Sequence, residues 1–132
     1  MKPLQLGVGL LVTVASLTLN AQTLTAHANI PFEFRVGEKL MPAGEYSIYQ
    51  SDSVLRLRQD DHGYAAVTAL TYGVDQQSEN PGLQFSRYGG SYFLESVSNP
   101  GFTARAVIKT REEQELARHS IPGRSTIALK TK

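Results

Sequence analysis

The sequence predicts an all-β chain: one antiparallel β-sandwich or small barrel of about eight strands, with a single short helix on the surface near the C-terminus. Three observations lead there. Apolar residues recur at every second position through most of the chain, the period of a half-buried strand. Gly, Pro, Asn and Asp punctuate those runs at short intervals. One segment, residues 111–119, instead has helical caps at both ends.

The first strand is expected over residues 30–36. Ile30, Phe32, Phe34 and Val36 share one face, and Pro31, Glu33 and Arg35 the other. Pro31 lacks an N–H and belongs near a strand end, on an edge or at a bulge. Gly37 breaks the run, and Met41-Pro42-Ala43-Gly44 has the form of a type I turn. Residues 45–49 resume as a strand. In "VLRLR" (54–58), Leu55 and Leu57 point inward while Arg56 and Arg58 point outward. Asp60, Asp61, His62 and Gly63 are turn residues, and residues 65–74 form a longer strand. After a polar loop at 75–82, the runs 83–87 and 92–97 flank Gly89-Gly90, a hairpin signal. Asn99-Pro100-Gly101 suits a type II turn. Phe102, Ala104, Ala106 and Ile108 then alternate against Thr103, Arg105 and Val107. Thr110 to Glu113 has the capping-box form, acidic residues lead the helix, Arg118 and His119 close it, and Pro122-Gly123 stop it. A last strand over 125–130 turns Ile127 and Leu129 inward.

The N-terminus reads differently. Lys2 precedes the apolar stretch "LGVGLLVTVASLTL" (6–19), followed by small and polar residues. That order predicts a secretory leader over residues 1–28, cut after Ala21 or after Ala28 of Ala26-His27-Ala28, ahead of a domain at 29–132. The stretch is shorter than the roughly 20 residues of a membrane-spanning helix, so no transmembrane segment is expected after cleavage. The expected location is periplasmic or extracellular. The 132 residues contain no Cys, so the core alone must hold the domain, without disulfides or Cys-ligated metal. Thirteen Lys and Arg stand against twelve Asp and Glu, a formal charge of +1 that falls to zero if Lys2 leaves. A neutral chain has no general attraction to nucleic acid, and none is expected as a partner. The five Phe and six Tyr all lie from Phe32 onward, which argues for a true core.

No local motif for catalysis emerges. His27, His62 and His119 have no Ser or acid at a spacing that suggests a triad or a metal pair. "YGGSYF" around Ser91 is a hairpin turn, not a nucleophile elbow. Asp60, Asp61 and His62 lack the spaced ligands of a calcium loop. Glu112 and Glu113 are explained by helix capping and the helix dipole, and Glu115 as an exposed helix residue. No catalytic residue, metal ligand or cofactor is assigned. Arg35, Arg56, Arg58 and Arg87 form a basic stripe if their strands pair, interleaved with Tyr49, Tyr64, Tyr72, Tyr88 and Tyr92. The bland alternative is a mixed-charge outer face. Two binding roles follow. A protein partner, such as an envelope protein, would engage the charged helix through Glu112 and Arg118. A small ligand or glycan would engage Arg58, Tyr88 and Tyr92. An enzyme assembled from distant carboxylates, such as a hydrolase, is the third role.

"IPFEFRVGEKLMPAGEYSI" (30–48), "LQFSRYGGSYFLESV" (83–97) and "KTREEQELAR" (109–118) occur in that order. Together they resemble a family of small secreted proteins common in acidobacteria, with Met41 here where Leu is usual. The resemblance covers most of the chain after the leader. It implies export and a β-fold, and no catalytic residues.

Overall fold

The alternating runs assemble into one eleven-stranded sheet. The computed structural model describes residues 23–60, 65–74, 81–99 and 103–131. Residues 1–22 of the expected leader with its Ala21 boundary, turn residues 61–63 with Tyr64, the loop at 75–80 and residues 100–102 of the Asn-Pro-Gly turn lie outside them, whereas the alternative boundary at Ala28 falls inside the described residues. The strands are β1 (Thr23–Ile30), β2 (Phe34–Val36), β3 (Lys39–Met41), β4 (Gly44–Ser51), β5 (Val54–Gln59), β6 (Ala66–Val74), β7 (Gly82–Tyr88), β8 (Ser91–Ser98), β9 (Ala104–Val107), β10 (Gly123–Ala128) and β11 (Lys130–Thr131). One helix, α1 (Arg111–His119), sits between β9 and β10. The domain is all-β, as the period-two pattern predicts.

The sheet runs β10-β7-β8-β9-β6-β5-β4-β1-β11, with the β2–β3 hairpin joined to β8 by the parallel bridge Arg35↔Phe93. Only Leu129 separates β10 from β11 in sequence, yet they stand at opposite ends of this order. The sheet is therefore rolled until its ends meet along the chain. No ladder joins β10 to β1 among the described residues, so hydrogen bonds do not close the roll.

Inward residues match the alternation in most strands. Leu55 and Leu57, Leu83 and Phe85, and Ile30, Phe34 and Val36 are all buried in one cluster. Phe34 lies at its centre, edge-on to Tyr46 at 5.3 Å and to Phe85 at 5.5 Å. Tyr46 donates its hydroxyl to the Pro42 carbonyl oxygen, and burial pushes that hydroxyl's pKa up to about 12. The 41–44 turn leads directly into β4, and Gly44 has φ +154° with the Gln59 amide packed on it. That φ is one L side chains rarely adopt, which favours glycine; a Cβ there would also lie 2.6 Å from Nε2, the far end of the Gln59 side chain. Gly89, at φ +63°, makes the β7–β8 turn as predicted.

Three strands exceed the expected eight: β1, β3 and β11. β1 matters most, because it lies within the sheet between β4 and β11. Leu24, Ala26, Ala28 and Ile30 face the core from it. The expected 30–36 strand is also divided, with β1 ending at Ile30 and β2 starting at Phe34, across Pro31. β9 departs from the simple alternation. Ala104 and Val107 are buried, but Ile108 is 54 % exposed, because the ladder to β6 ends at Thr71↔Val107 and the chain leaves for α1. Arg105 turns back over β6, donating from Nε to Thr71 Oγ1 at 3.2 Å and from Nη2 to the Thr71 carbonyl at 2.9 Å.

Helix α1 has the predicted bounds, and the Thr110 hydroxyl accepts the Glu113 N–H at 3.2 Å. Its buried residue, however, is Glu113, only 4 % exposed. Reading Glu113 as a capping residue accounts for its backbone and misses its side chain. That carboxyl is buried beside Glu95, whose other oxygen lies 3.7 Å from Lys109 Nζ. With both carboxyls ionised, Glu113 Oε2 and Glu95 Oε1 find no donor among the described residues, so a bond between the two acids needs a proton on one of them. Burial, then the hydrogen bond and charge of Glu95, push the Glu113 pKa up to about 8 against the pull of Lys109.

Two outcomes follow. Phe34→Ala is expected to lower unfolding stability by about 3–5 kcal/mol, read as a fall in the denaturant midpoint; an unchanged midpoint would contradict its central place. Glu113 holds in the folded chain a proton that the unfolded chain releases from 4.5 upward. Its contribution is therefore complete below pH 4.5, declines as pH rises to 8 and is flat above. Glu113→Gln, which can donate to Glu95 without titrating, should raise the melting temperature at pH 8 and remove that slope. A slope that persists in the variant would place the titrating group elsewhere.

Candidate functional site

Two-residue periodicity places every second side chain of β1, β4, β5 and β6 on the outer face, and the register lines them up. One cross-strand row runs His27, Ser47, Arg58, Ala66; the next runs Thr25, Tyr49, Arg56, Thr68. Lys130 of β11 pairs with His27 at the far side of the first row. These rows wall a groove of about 760 Å³ lined by Ser47, Tyr49, Arg56, Arg58 and residues 66–68. Arg56 and Arg58 are exposed, and Tyr49 keeps 43 % of its surface in solvent. Among the described residues, neither arginine has a carboxylate within 4.0 Å, and a guanidinium fork matches an anion.

Beside the groove, Asp60, Ser47 and His27 converge. The Ser47 hydroxyl donates to Asp60 Oδ1 at 2.5 Å, His27 Nδ1 lies 3.7 Å from Asp60 Oδ2, and Ser47 Oγ lies 3.5 Å from the same Nδ1. A nucleophilic relay needs imidazole between the other two, with one ring nitrogen on the hydroxyl and the second on the carboxylate. Here a single nitrogen faces both, and the hydroxyl proton is already committed to Asp60. The cluster is suited to orienting a polar ligand and not to activating Ser47. Among the described residues, no three His, Asp or Glu side chains group to hold a metal. Of the loop considered for metal, Asp61 and His62 lie outside the described residues, and Asp60 is engaged by Ser47.

Sequence spacing gave no hint of this cluster, because its three members sit on or beside three strands and meet only through register. His27, expected in or next to the leader, is a half-buried residue of β1. The available signal was the alternation of Leu24, Ala26, Ala28 and Ile30, which places His27 on the outer face.

The other expected site residues fall elsewhere. Three strands separate Arg58 on β5 from Tyr88 on β7, so they do not share a site. Tyr88 is 7 % exposed, edge-on to Phe93 at 5.8 Å, and burial raises its pKa. Tyr92 is half-buried and stacks on Phe32, with ring centroids 3.8 Å apart. Both tyrosines pack, and the exposed aromatic beside the arginines is Tyr49. On α1, Glu112 faces Arg35 at 3.9 Å and Arg118 pairs with Glu115 at 3.2 Å. Arg35 and Arg87 lie on β2 and β7, so the expected four-arginine stripe reduces to Arg56 and Arg58.

Comparison of the chain with protein-family models, curated proteins and solved structures finds no match.

A fluorophosphonate reagent is expected to leave Ser47 unlabelled under conditions that label an activated serine hydrolase. Mass-spectrometric detection of an adduct at Ser47 would show that the hydroxyl is activated after all. Ser47→Ala, at a half-exposed position, should change stability by no more than about 1 kcal/mol.

Proposed function

We propose that this chain is an exported, non-catalytic binding protein whose β4–β6 face takes an acidic glycan. The observation that carries the reading is the pair of guanidinium groups of Arg56 and Arg58 on one wall of the groove, which meet no carboxylate among the described residues. Arg presents a planar fork that matches a carboxylate, so two of them at alternate positions suit a polymer with repeating acidic groups. Tyr49 lies directly opposite Arg56 and offers a ring for a sugar to stack on. The Ser47–Asp60–His27 cluster supplies hydroxyl, carboxylate and imidazole edges for neutral hydroxyl groups. Export is supported by the N-terminal sequence and by the motifs that resemble acidobacterial secreted proteins.

An envelope protein captured through α1 has less support. Glu112 and Arg118 are exposed, but each already faces an opposite charge on this chain.

Oligogalacturonate is a suitable probe. Saturating it at a hundred times its dissociation constant should stabilise the domain by about 2.7 kcal/mol, visible as a rise in melting temperature. The Arg56→Ala, Arg58→Ala double variant should lose that shift while melting normally alone. Added salt should weaken the native interaction, because exposed charge pairs are screened. An undiminished shift in the double variant would remove the arginines from the site, and no shift in the native chain would count against the acidic-glycan reading.

A further inference from the structure

β6 is paired unevenly. Its residues 66–70 form a ladder with β5, whereas on the other side β9 covers only 71–74. The hydrogen-bond phase fixes which groups are left over. Thr71 N–H donates to the Ser53 carbonyl, and the Ala65 carbonyl accepts from Gln59 N–H, so odd-numbered residues address β5. The N–H and C=O groups of Ala66, Thr68 and Leu70 therefore point away from β5. Ala66 O is met by Lys39 Nζ reaching across from β3. Among the described residues, no ladder covers 66–70 on that side; the Thr71↔Val107 pair turns the Ile108 N–H toward the Leu70 carbonyl, which leaves Thr68 with both groups open and Leu70 with its N–H.

What faces this edge is a groove of about 720 Å³ between β6, the β2–β3 hairpin and the segment entering α1. Val67 and Ala69 line its β6 side, Val36 the hairpin side and Val107 its end. Leu70 is 61 % exposed and Ile108 54 % at the rim. Five residues at about 3.3 Å each make an edge of ordinary strand length. An exposed strand edge with apolar flanks is a template for another strand, and among the described residues Lys39 is the side chain that blunts it.

We propose that the Ala66–Leu70 edge binds an extended acidic peptide of another protein as an added strand. Charge selects the occupant. The groove is lined by Lys39, Lys109 and Arg111 against one acid, Glu38, and the N-terminus of α1 opens onto it at Thr110. Lys109 also faces Glu95 at 3.7 Å, leaving Lys39 and Arg111 as its principal cations. A second copy of this chain would bring the same cations against each other across a two-fold axis, which like charges oppose. Backbone bonds to Thr68 and Leu70 would supply affinity, and alternate side chains of the peptide would meet the apolar floor and the basic rim.

The test uses the full chain and a labelled peptide of about seven residues alternating valine with glutamate, beside the same peptide with lysine for glutamate. Fluorescence anisotropy should show binding of the glutamate peptide, and amide hydrogen exchange at Thr68 and Leu70 should slow in the complex. The lysine peptide should bind at least about tenfold more weakly. Thr68→Pro removes the donor on the open edge without touching the β5 ladder and should abolish binding. Because that variant risks misfolding, Lys39→Glu with Arg111→Glu is the companion, expected to weaken the glutamate peptide and spare the melting temperature. Unchanged exchange at Thr68 and Leu70, or equal affinity for both peptides, would overturn the proposal. Concentration-dependent dimerisation that protects the same two amides would overturn it in favour of a second copy.

Discussion

Phe34 reaches across the roll. The hairpin that carries it touches the main sheet by one backbone bridge, Arg35↔Phe93, so side-chain packing has to hold it. Its ring meets Tyr46 on β4 and Phe85 on β7, strands with four others between them in sheet order. One side chain thus closes from within what the ladders leave open between β10 and β1. Phe32 extends the cluster, edge-on to Phe85 at 5.0 Å and stacked on Tyr92. With no Cys in the chain, this packing is the main source of cohesion, and every outer surface depends on the strand positions it sets.

Two of those surfaces meet at β6. Residues 66–68 line both the arginine groove on the outer face and the groove along the free edge. The first presents side chains at strand spacing, and the second presents backbone. They therefore suit ligands of different chemistry: a polymer of acidic groups on the face, an extended chain at the edge. Occupying one need not fill the other, because face and edge of a strand point in perpendicular directions.

The helix shows how a local rule and a tertiary need use the same residue differently. Glu113 at the third position of α1 satisfies the capping pattern through its N–H, which bonds to Thr110. Its side chain is then carried beneath the helix toward Glu95, where desolvation favours the protonated acid. Local sequence accounts for the first fact only. Glu95 is eighteen residues away and comes within reach at the irregularity in the β7–β8 pairing near Gln84 and Phe85.

The amino-acid order by itself determined the strand faces of β2 and β5, the Gly89-Gly90 turn and both ends of α1, since each depends on neighbours in sequence. It also held the alternation of β1, though Ala26 and Ala28 signal a buried face more weakly than Phe or Ile do. Tertiary structure alone decided that Arg58 stands with Tyr49 and not with Tyr88, that His27, Ser47 and Asp60 meet, and that half of β6 keeps an open edge. Those outcomes depend on cross-strand register and strand order. Register follows from burying one face of each strand against distant partners, so no short window of sequence contains it.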